Sequence, residues 1–268
     1  MSKPPTPSKL FLWDKRTLYL GPLIEPITLS QGASTLLVSL EGEFEFQFDD
    51  LPKPLKSKSL LIPAGLNIFI NTKDYVIANC NLDPLCEDYF YLSKDMSEID
   101  RSVCWELTSL SDFQSLFKEI HEHINDSKQA FRILDKLLSK NTCSHKFKTD
   151  PRVEQTIAII KNQVDDNISV DDLADSVGLS VPRLMQLFKQ KTGVPIRRYR
   201  SWHRLYTAGL KLGEGLNMTE AALLAGFTDS AHFSNTFKDM LGMSPTQILC
   251  QPNGIRIFPP IAAATETC

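Results

Sequence analysis

The chain has 268 residues, of which 42% are hydrophobic and 23% charged, with a formal net charge of -3. These values fit one large or two ordinary globular domains with real cores. They exclude nucleic-acid binding by bulk positive charge, so charge has to be read segment by segment. No apolar run reaches the ~18 residues needed to span a bilayer, and Met1 to Lys9 is polar and Pro-rich, without the apolar core of a signal peptide. The cytosol is the expected compartment, with no membrane partner. Six cysteines (Cys80, Cys86, Cys104, Cys143, Cys250, Cys268) are scattered with no CxxC pair. That pattern suits reduced thiols better than a disulfide frame or a zinc site, with a redox-sensing pair as the open alternative.

Residues 10–106 predict β-structure. Thr35-Leu36-Leu37-Val38-Ser39-Leu40 is a short apolar run, and Phe44-Glu45-Phe46-Gln47-Phe48 alternates strictly. Leu60-Leu61-Ile62, Asn67–Asn71 and Tyr75–Ala78 follow, separated by Pro63, Gly65 and Lys73-Asp74. Many short strands broken by turn signals indicate a sandwich or barrel. The period changes near Ser109. Phe113, Leu116, Phe117, Ile120 and Ile124 recur at helical spacing, and Phe131, Leu134, Leu137 and Leu138 form a second amphipathic segment. Residues 109–140 therefore read as a helical pair. Its apolar stripe serves either as a contact between two copies of the chain or as packing on its own barrel. Asn141 to Pro151 is polar and reads as a linker. The region 151–251 predicts helices joined by short turns. The tail Gly254–Cys268, with two adjacent prolines and small residues, reads as a loosely ordered extension.

The helical region repeats itself. Ala174 and Gly178 recur 48 residues later as Ala222 and Gly226, and Phe188-Lys189 and Gly193 recur 49 residues later as Phe237-Lys238 and Gly242. Each repeat has a mechanical reason. The alanines suit a close helix crossing. The glycines at 178 and 226 suit a left-handed turn at the end of a helix. Leu184, Leu187, Phe188, Phe233 and Phe237 suit the buried side of a following helix. This is helix-turn-helix spacing, in which the second helix lies in the major groove. From Ser180 to Lys211 there are eight Lys or Arg and no Asp or Glu. That basic run covers the first proposed recognition helix and the helix after it, where phosphates would lie.

Dense matching residues carry a resemblance. Arg204-Leu205-Tyr206-Thr207-Ala208-Gly209-Leu210-Lys211-Leu212, then Ala221-Ala222, Gly226-Phe227, Phe233, Phe237-Lys238 and Gly242-Met243-Ser244-Pro245 resemble the AraC/XylS family of bacterial transcription regulators. The resemblance implies two helix-turn-helix subdomains joined by a long helix at about 195–212. The first recognition helix, about 181–192, would present Pro182, Arg183, Met185, Gln186 and Lys189. The second, about 230–241, would present Ser230, Ala231, His232, Ser234, Asn235 and Lys238. Arg197, Arg198 and Arg204 are candidate phosphate contacts, with a structural role for Arg204 as the alternative. Gln186 and Asn235 stand where many relatives place Arg, which points to A·T rather than G·C readout.

The resemblance also implies a sensing domain, here residues 10–106 as a cupin-like β-barrel, so the expected fold class is α+β with two domains. No histidine precedes His121, so a metal-binding cupin is not expected. The barrel is either an apolar pocket for a small effector or a solid dimerisation platform. Trp13, Tyr19, Trp105 and Tyr89-Phe90-Tyr91 are aromatic candidates for a lining. No catalytic constellation is present, and no cofactor is implied. The expected partners are promoter DNA, RNA polymerase, a small-molecule effector and a second copy joined through the N-terminal half. The expected function is a transcription regulator, an activator by family tendency. An enzyme with an appended DNA module and a nonspecific architectural DNA binder are the competing classes.

Overall fold

The computed structural model describes residues 6–23, 25–48, 51–139, 150–164, 168–249 and 254–260. The expected linker falls outside these residues, apart from its last two positions. The N-terminal half contains β1 (Ser8–Trp13), β2 (Arg16–Pro22), β3 (Ile27–Leu29), β4 (Ser34–Ser39), β5 (Phe44–Phe48), β6 (Leu55–Ser57), β7 (Ser59–Ile62), β8 (Ile68–Asn71), β9 (Val76–Leu82), α1 (Asp88–Lys94), β10 (Met96–Asp100), β11 (Val103–Leu107), α2 (Leu110–His123) and α3 (Ser127–Ser139). The C-terminal half contains α4 (Pro151–Asn162), α5 (Val170–Ser176), α6 (Val181–Thr192), α7 (Ile196–Gly213), α8 (Met218–Leu224), α9 (Ser230–Leu241), α10 (Pro245–Leu249) and β12 (Ile255–Phe258). The expected two-domain α+β architecture is the observed one.

The strands form two sheets rather than a closed barrel. The larger runs β10-β11-β7-β4-β9-β2-β1-β12, and the smaller runs β3-β8-β5-β6. The second sheet has strands of only three to five residues, too short to wrap round and close on the first. Its alternating Phe44, Phe46 and Phe48 point inward and are buried. Phe46 lies 5.8 Å from the Trp105 ring and 6.4 Å from Phe48. These rings fill the space between the sheets, so the interior itself is packed.

The other face of the large sheet carries α2 and α3. Phe113, Phe117, Ile120 and Ile124 are at most 5% exposed and join the core made with Phe11, Leu18 and Leu36. The apolar stripe therefore packs on its own domain and offers no free surface to a second copy. Lys9, almost fully buried, donates from Nζ to the carbonyls of Ile120 (3.0 Å) and Ile124 (2.6 Å) at the end of α2. A cation satisfies the unpaired carbonyls there and meets the negative end of the helix dipole. Burial, with a smaller contribution from Arg256, lowers the pKa of this ammonium.

The tail departs from expectation. Residues 255–258 form a strand parallel to β1, with Ile255 opposite Ser8 and Phe258 opposite Phe11. Phe258 stacks on Phe11 at 4.6 Å. The alternating Ile-Arg-Ile-Phe pattern is a strand signal that the neighbouring prolines obscured. The chain thus leaves the C-terminal helices and returns to the N-terminal sheet. Of the cysteines, Cys80, Cys86 and Cys104 are described and free. Burial pushes the Cys80 and Cys86 thiols up to about 12, which works against a redox-active thiolate.

Replacing Phe258 by Ala removes a half-buried ring from this strap. The expected loss is about 1–2 kcal/mol, or roughly 3–6 °C in Tm, measured by thermal unfolding. Arg256→Ala, on the exposed side of the same strand, is expected to leave Tm unchanged. Equal effects from both would show that the strand is not seated on β1.

Candidate nucleic-acid interface

Two helix-turn-helix units, α5–α6 and α8–α9, are built from the repeated residues. Ser169 caps α5 by accepting from the Asp172 amide, and Asn217 caps α8 in a capping box with Glu220. Gly178 and Gly226 turn the chain at φ +64° and +78°, the left-handed region where a side chain is strained. Alpha 6 starts after Ser180 with Pro182 in its first turn, and α9 starts at Asp229, which accepts from the His232 amide. This bond to the His232 amide is the main reason the Asp229 carboxyl stays below its usual pKa. Both recognition helices end on a left-handed glycine, Gly193 and Gly242.

Helix α7 carries both units. Ile196 and Tyr199 from its first half join Leu184, Leu187 and Phe188 in one core. Leu205 and Ala208 from its second half join Ala222, Phe227 and Phe233 in another. Its 18 residues at 1.5 Å each give a spacer of roughly 27 Å. That is close to the ~34 Å between successive major grooves on one face of a duplex.

The predicted readers stand largely free. Pro182, Arg183, Met185, Gln186 and Lys189 are all exposed along α6, opposite the buried Leu184 and Phe188. Met185 is 51% exposed, unusual for a large apolar side chain and available to a thymine methyl. Arg183 donates to Gln186 Oε1 at 3.0 Å, so those two side chains lie together. On α9, Ala231, His232, Asn235 and Lys238 are exposed and Ser230 and Ser234 half-buried. The Thr228 hydroxyl lies 3.1 Å from His232 Nδ1, and the imidazole stands edge-on to Phe227 at 5.3 Å.

The three arginines separate into different environments. Arg197 is exposed. Arg198 turns toward the N-terminal domain, donating from Nε to the Ser30 carbonyl at 2.9 Å and lying 3.5 Å from Asp239. Arg204 is half-buried, and a methyl built on Gly226 would come within 3.3 Å of its Nε. Its place beneath the Gly226 turn favours the structural alternative over the phosphate contact.

Sequence reasoning did not find the seam between the domains. Lys161 bonds Asp14 at 3.0 Å and Asp83 at 3.4 Å. Burial opposes its charge, but the two carboxylates outweigh that and raise its pKa. The Tyr199 hydroxyl lies 3.3 Å from Asp83. Burial and the nearby carboxylate raise the pKa of this phenol, keeping it neutral. Gly32 lies against Trp202 so closely that an added Cβ would sit 2.5 Å from the tryptophan Cβ.

Beside these contacts is a cavity of about 120 Å³, walled by Leu10 and Tyr19 of the sheet, Trp202 and Tyr206 of α7, and Phe233 and Phe237 of α9. Of the aromatic residues considered from the sequence for a lining, Tyr19 alone is among its walls. Trp105 packs against Phe46 in the sandwich, and Trp13 donates from its indole to Ser127 in the other core. The cavity arises where two domains meet, so no single segment announces it. The one available hint was Asn79 and Asn81 alternating within an otherwise apolar strand.

Comparison with known proteins agrees with this geometry. A helix-turn-helix domain family model matches residues 173–250. The transcriptional activator RhaS of Escherichia fergusonii is 35% identical over 101 residues, which is 37% of this chain and 36% of that protein. The Msm operon regulatory protein of Streptococcus mutans is 28% identical over 124 residues, 44% of this chain and 45% of that one. The match thus spans under half the length of these curated relatives. Apo ToxT from Vibrio cholerae superposes with a TM-score of 0.59 at 11% identity, covering 88% of this chain and 97% of that one, which establishes a shared two-domain fold. The C-terminal domain of this chain is thus a helix-turn-helix domain similar to those of AraC-type transcription regulators.

Proposed function

We propose that the chain is an effector-responsive transcription activator that reads promoter DNA through α6 and α9. The carrying observation is that α7 serves both halves. It holds the two recognition helices, and through Trp202, Leu205, Tyr206 and Gly209 it walls the apolar cavity against the sheet. A molecule entering that cavity bears directly on the element that sets the spacing of the readers. Effector binding would then favour one docking of the two domains over another, by as much as its affinity for the two arrangements differs. Another structure of ToxT holds an unsaturated fatty acid, a ligand with an apolar body, and RhaS is an activator, which supports an effector with an apolar body and a positive sign of regulation. RNA polymerase is the proposed partner in activation. If two copies act together, they pair through a surface other than the buried stripe of α2.

Within the DNA interface, Gln186 and Asn235 are assigned to adenine edges, which each can bond in two places. Arg197 is assigned to phosphate. Arg198 holds the interdomain seam in the domain arrangement described.

Selection of binding sites from a random DNA pool by the full chain is expected to return two half-sites about one helical turn apart, with A·T pairs at the positions facing Gln186 and Asn235. Guanine at those positions would contradict the assignment, and no enrichment at all would favour the architectural reading. On a selected site, Arg197→Ala is expected to reduce the slope of log affinity against log salt by about 1 and to weaken all sequences alike. An unchanged slope would remove Arg197 from the phosphate contacts.

A further inference from the structure

The cavity wall is apolar except for a small polar patch on the sheet. Asn79 and Asn81 are two residues apart on β9 and so share a face, with Asn79 paired to Tyr19 and Leu37, and Asn81 to Thr17 and Thr35. Gln31 adjoins this patch. Part of it is internally satisfied. The Thr35 hydroxyl donates to Gln31 Oε1, and Asn81 Nδ2 donates to Thr17 at 3.0 Å. Two atoms are left over. Gln31 Nε2 and Asn79 Oδ1 are buried without a hydrogen-bond partner, on side chains whose residues are 4% and 8% exposed and which line the cavity. Native proteins rarely leave a donor and an acceptor buried and unpaired, because each loses its hydration for nothing in return.

Charge is the second observation. None of the described residues lining the cavity is Lys, Arg, His, Asp or Glu. A carboxylate or ammonium placed there would give up its water with no opposite charge to meet it. The wall therefore selects for a polar but uncharged group.

Resting on the reading of this cavity as the effector site, we propose that the effector is a small neutral molecule with an apolar body and one hydroxyl or carboxamide head. The head donates to Asn79 Oδ1 and accepts from Gln31 Nε2. A group that both gives and takes a hydrogen bond is matched whichever way a side-chain amide is turned. The apolar body lies among Leu10, Leu12, Tyr206 and Phe237. The volume sets its size. An apolar cavity of ~150 Å³ accommodates benzene, so about 120 Å³, partly open to solvent, takes about five non-hydrogen atoms and leaves the end of a short chain to extend through the opening.

The test uses the full chain and four probes at neutral pH: 1-hexanol, hexanamide, hexanoate and hexylammonium, titrated by ligand-observed NMR. The alcohol and the amide are expected to bind at least about tenfold more tightly than the carboxylate. Asn79→Leu, which keeps the branched shape with somewhat more bulk and removes the acceptor, is expected to lose at least about tenfold of the affinity for both. Asn79→Asp is expected to gain hexylammonium binding that the wild type lacks, a result that misfolding cannot mimic. Hexanoate binding as tightly as hexanol would overturn the neutral head while leaving the cavity as the effector site. Failure of all four probes to bind the wild type would overturn both.

Discussion

Helix α7 must be buried on several sides at once, and the rest of the architecture follows from that. Its first half completes the core of one helix-turn-helix unit and its second half completes the other. A further face lies against the sheet, where Gly209 approaches Leu12 and Gly32 approaches Trp202. A helix so enclosed cannot tilt for one neighbour without disturbing the others, because packed interiors resist continuous deformation. The two recognition helices therefore form one unit, and the position of that unit is tied to the N-terminal sheet.

The seam that ties them is mixed in character. Its apolar part is loosely filled and encloses the cavity. Its polar part consists of a few interactions, from part-buried to exposed: Lys161 with Asp14 and Asp83, Tyr199 with Asp83, and Arg198 with Ser30. Pairs of this kind fix geometry more than they add stability, since desolvation or solvent screening offsets much of their attraction. The strand β12 adds a second tie by returning the chain from α10 to β1. An interface that is specific in geometry but modest in energy suits a regulator, because coupling free energies between sites are typically about 1–3 kcal/mol.

Much of this was legible in the sequence, and the missed parts share a cause. The tandem repeat announced itself because the alanines, glycines and phenylalanines of 174–193 and 222–242 each answer a local mechanical need. The exposed faces of α6 and α9 followed from helical spacing once the inward-facing Leu184, Phe188, Phe233 and Phe237 were placed, whereas their assignment as DNA readers rests on the resemblance. The stripe at Phe113, Phe117, Ile120 and Ile124 was visible as apolar, but what covers it is a tertiary fact, and it is its own sheet that does so. A closed barrel was expected where two sheets form, because short alternating strands look alike in both. The cavity was out of reach for the same reason. Its walls come from the sheet, α7, α9, α10 and β12, and only Asn79 and Asn81 broke the apolar pattern of their strand.

The central claim is that the sheet face and α7 respond together to whatever fills the space between them. Amide hydrogen exchange of the full chain, with and without a saturating cavity ligand, measures this most directly. Slower exchange is expected together in β2, β9 and residues 196–213 of α7. Protection confined to the sheet strands, with α7 exchanging as before, would contradict the account.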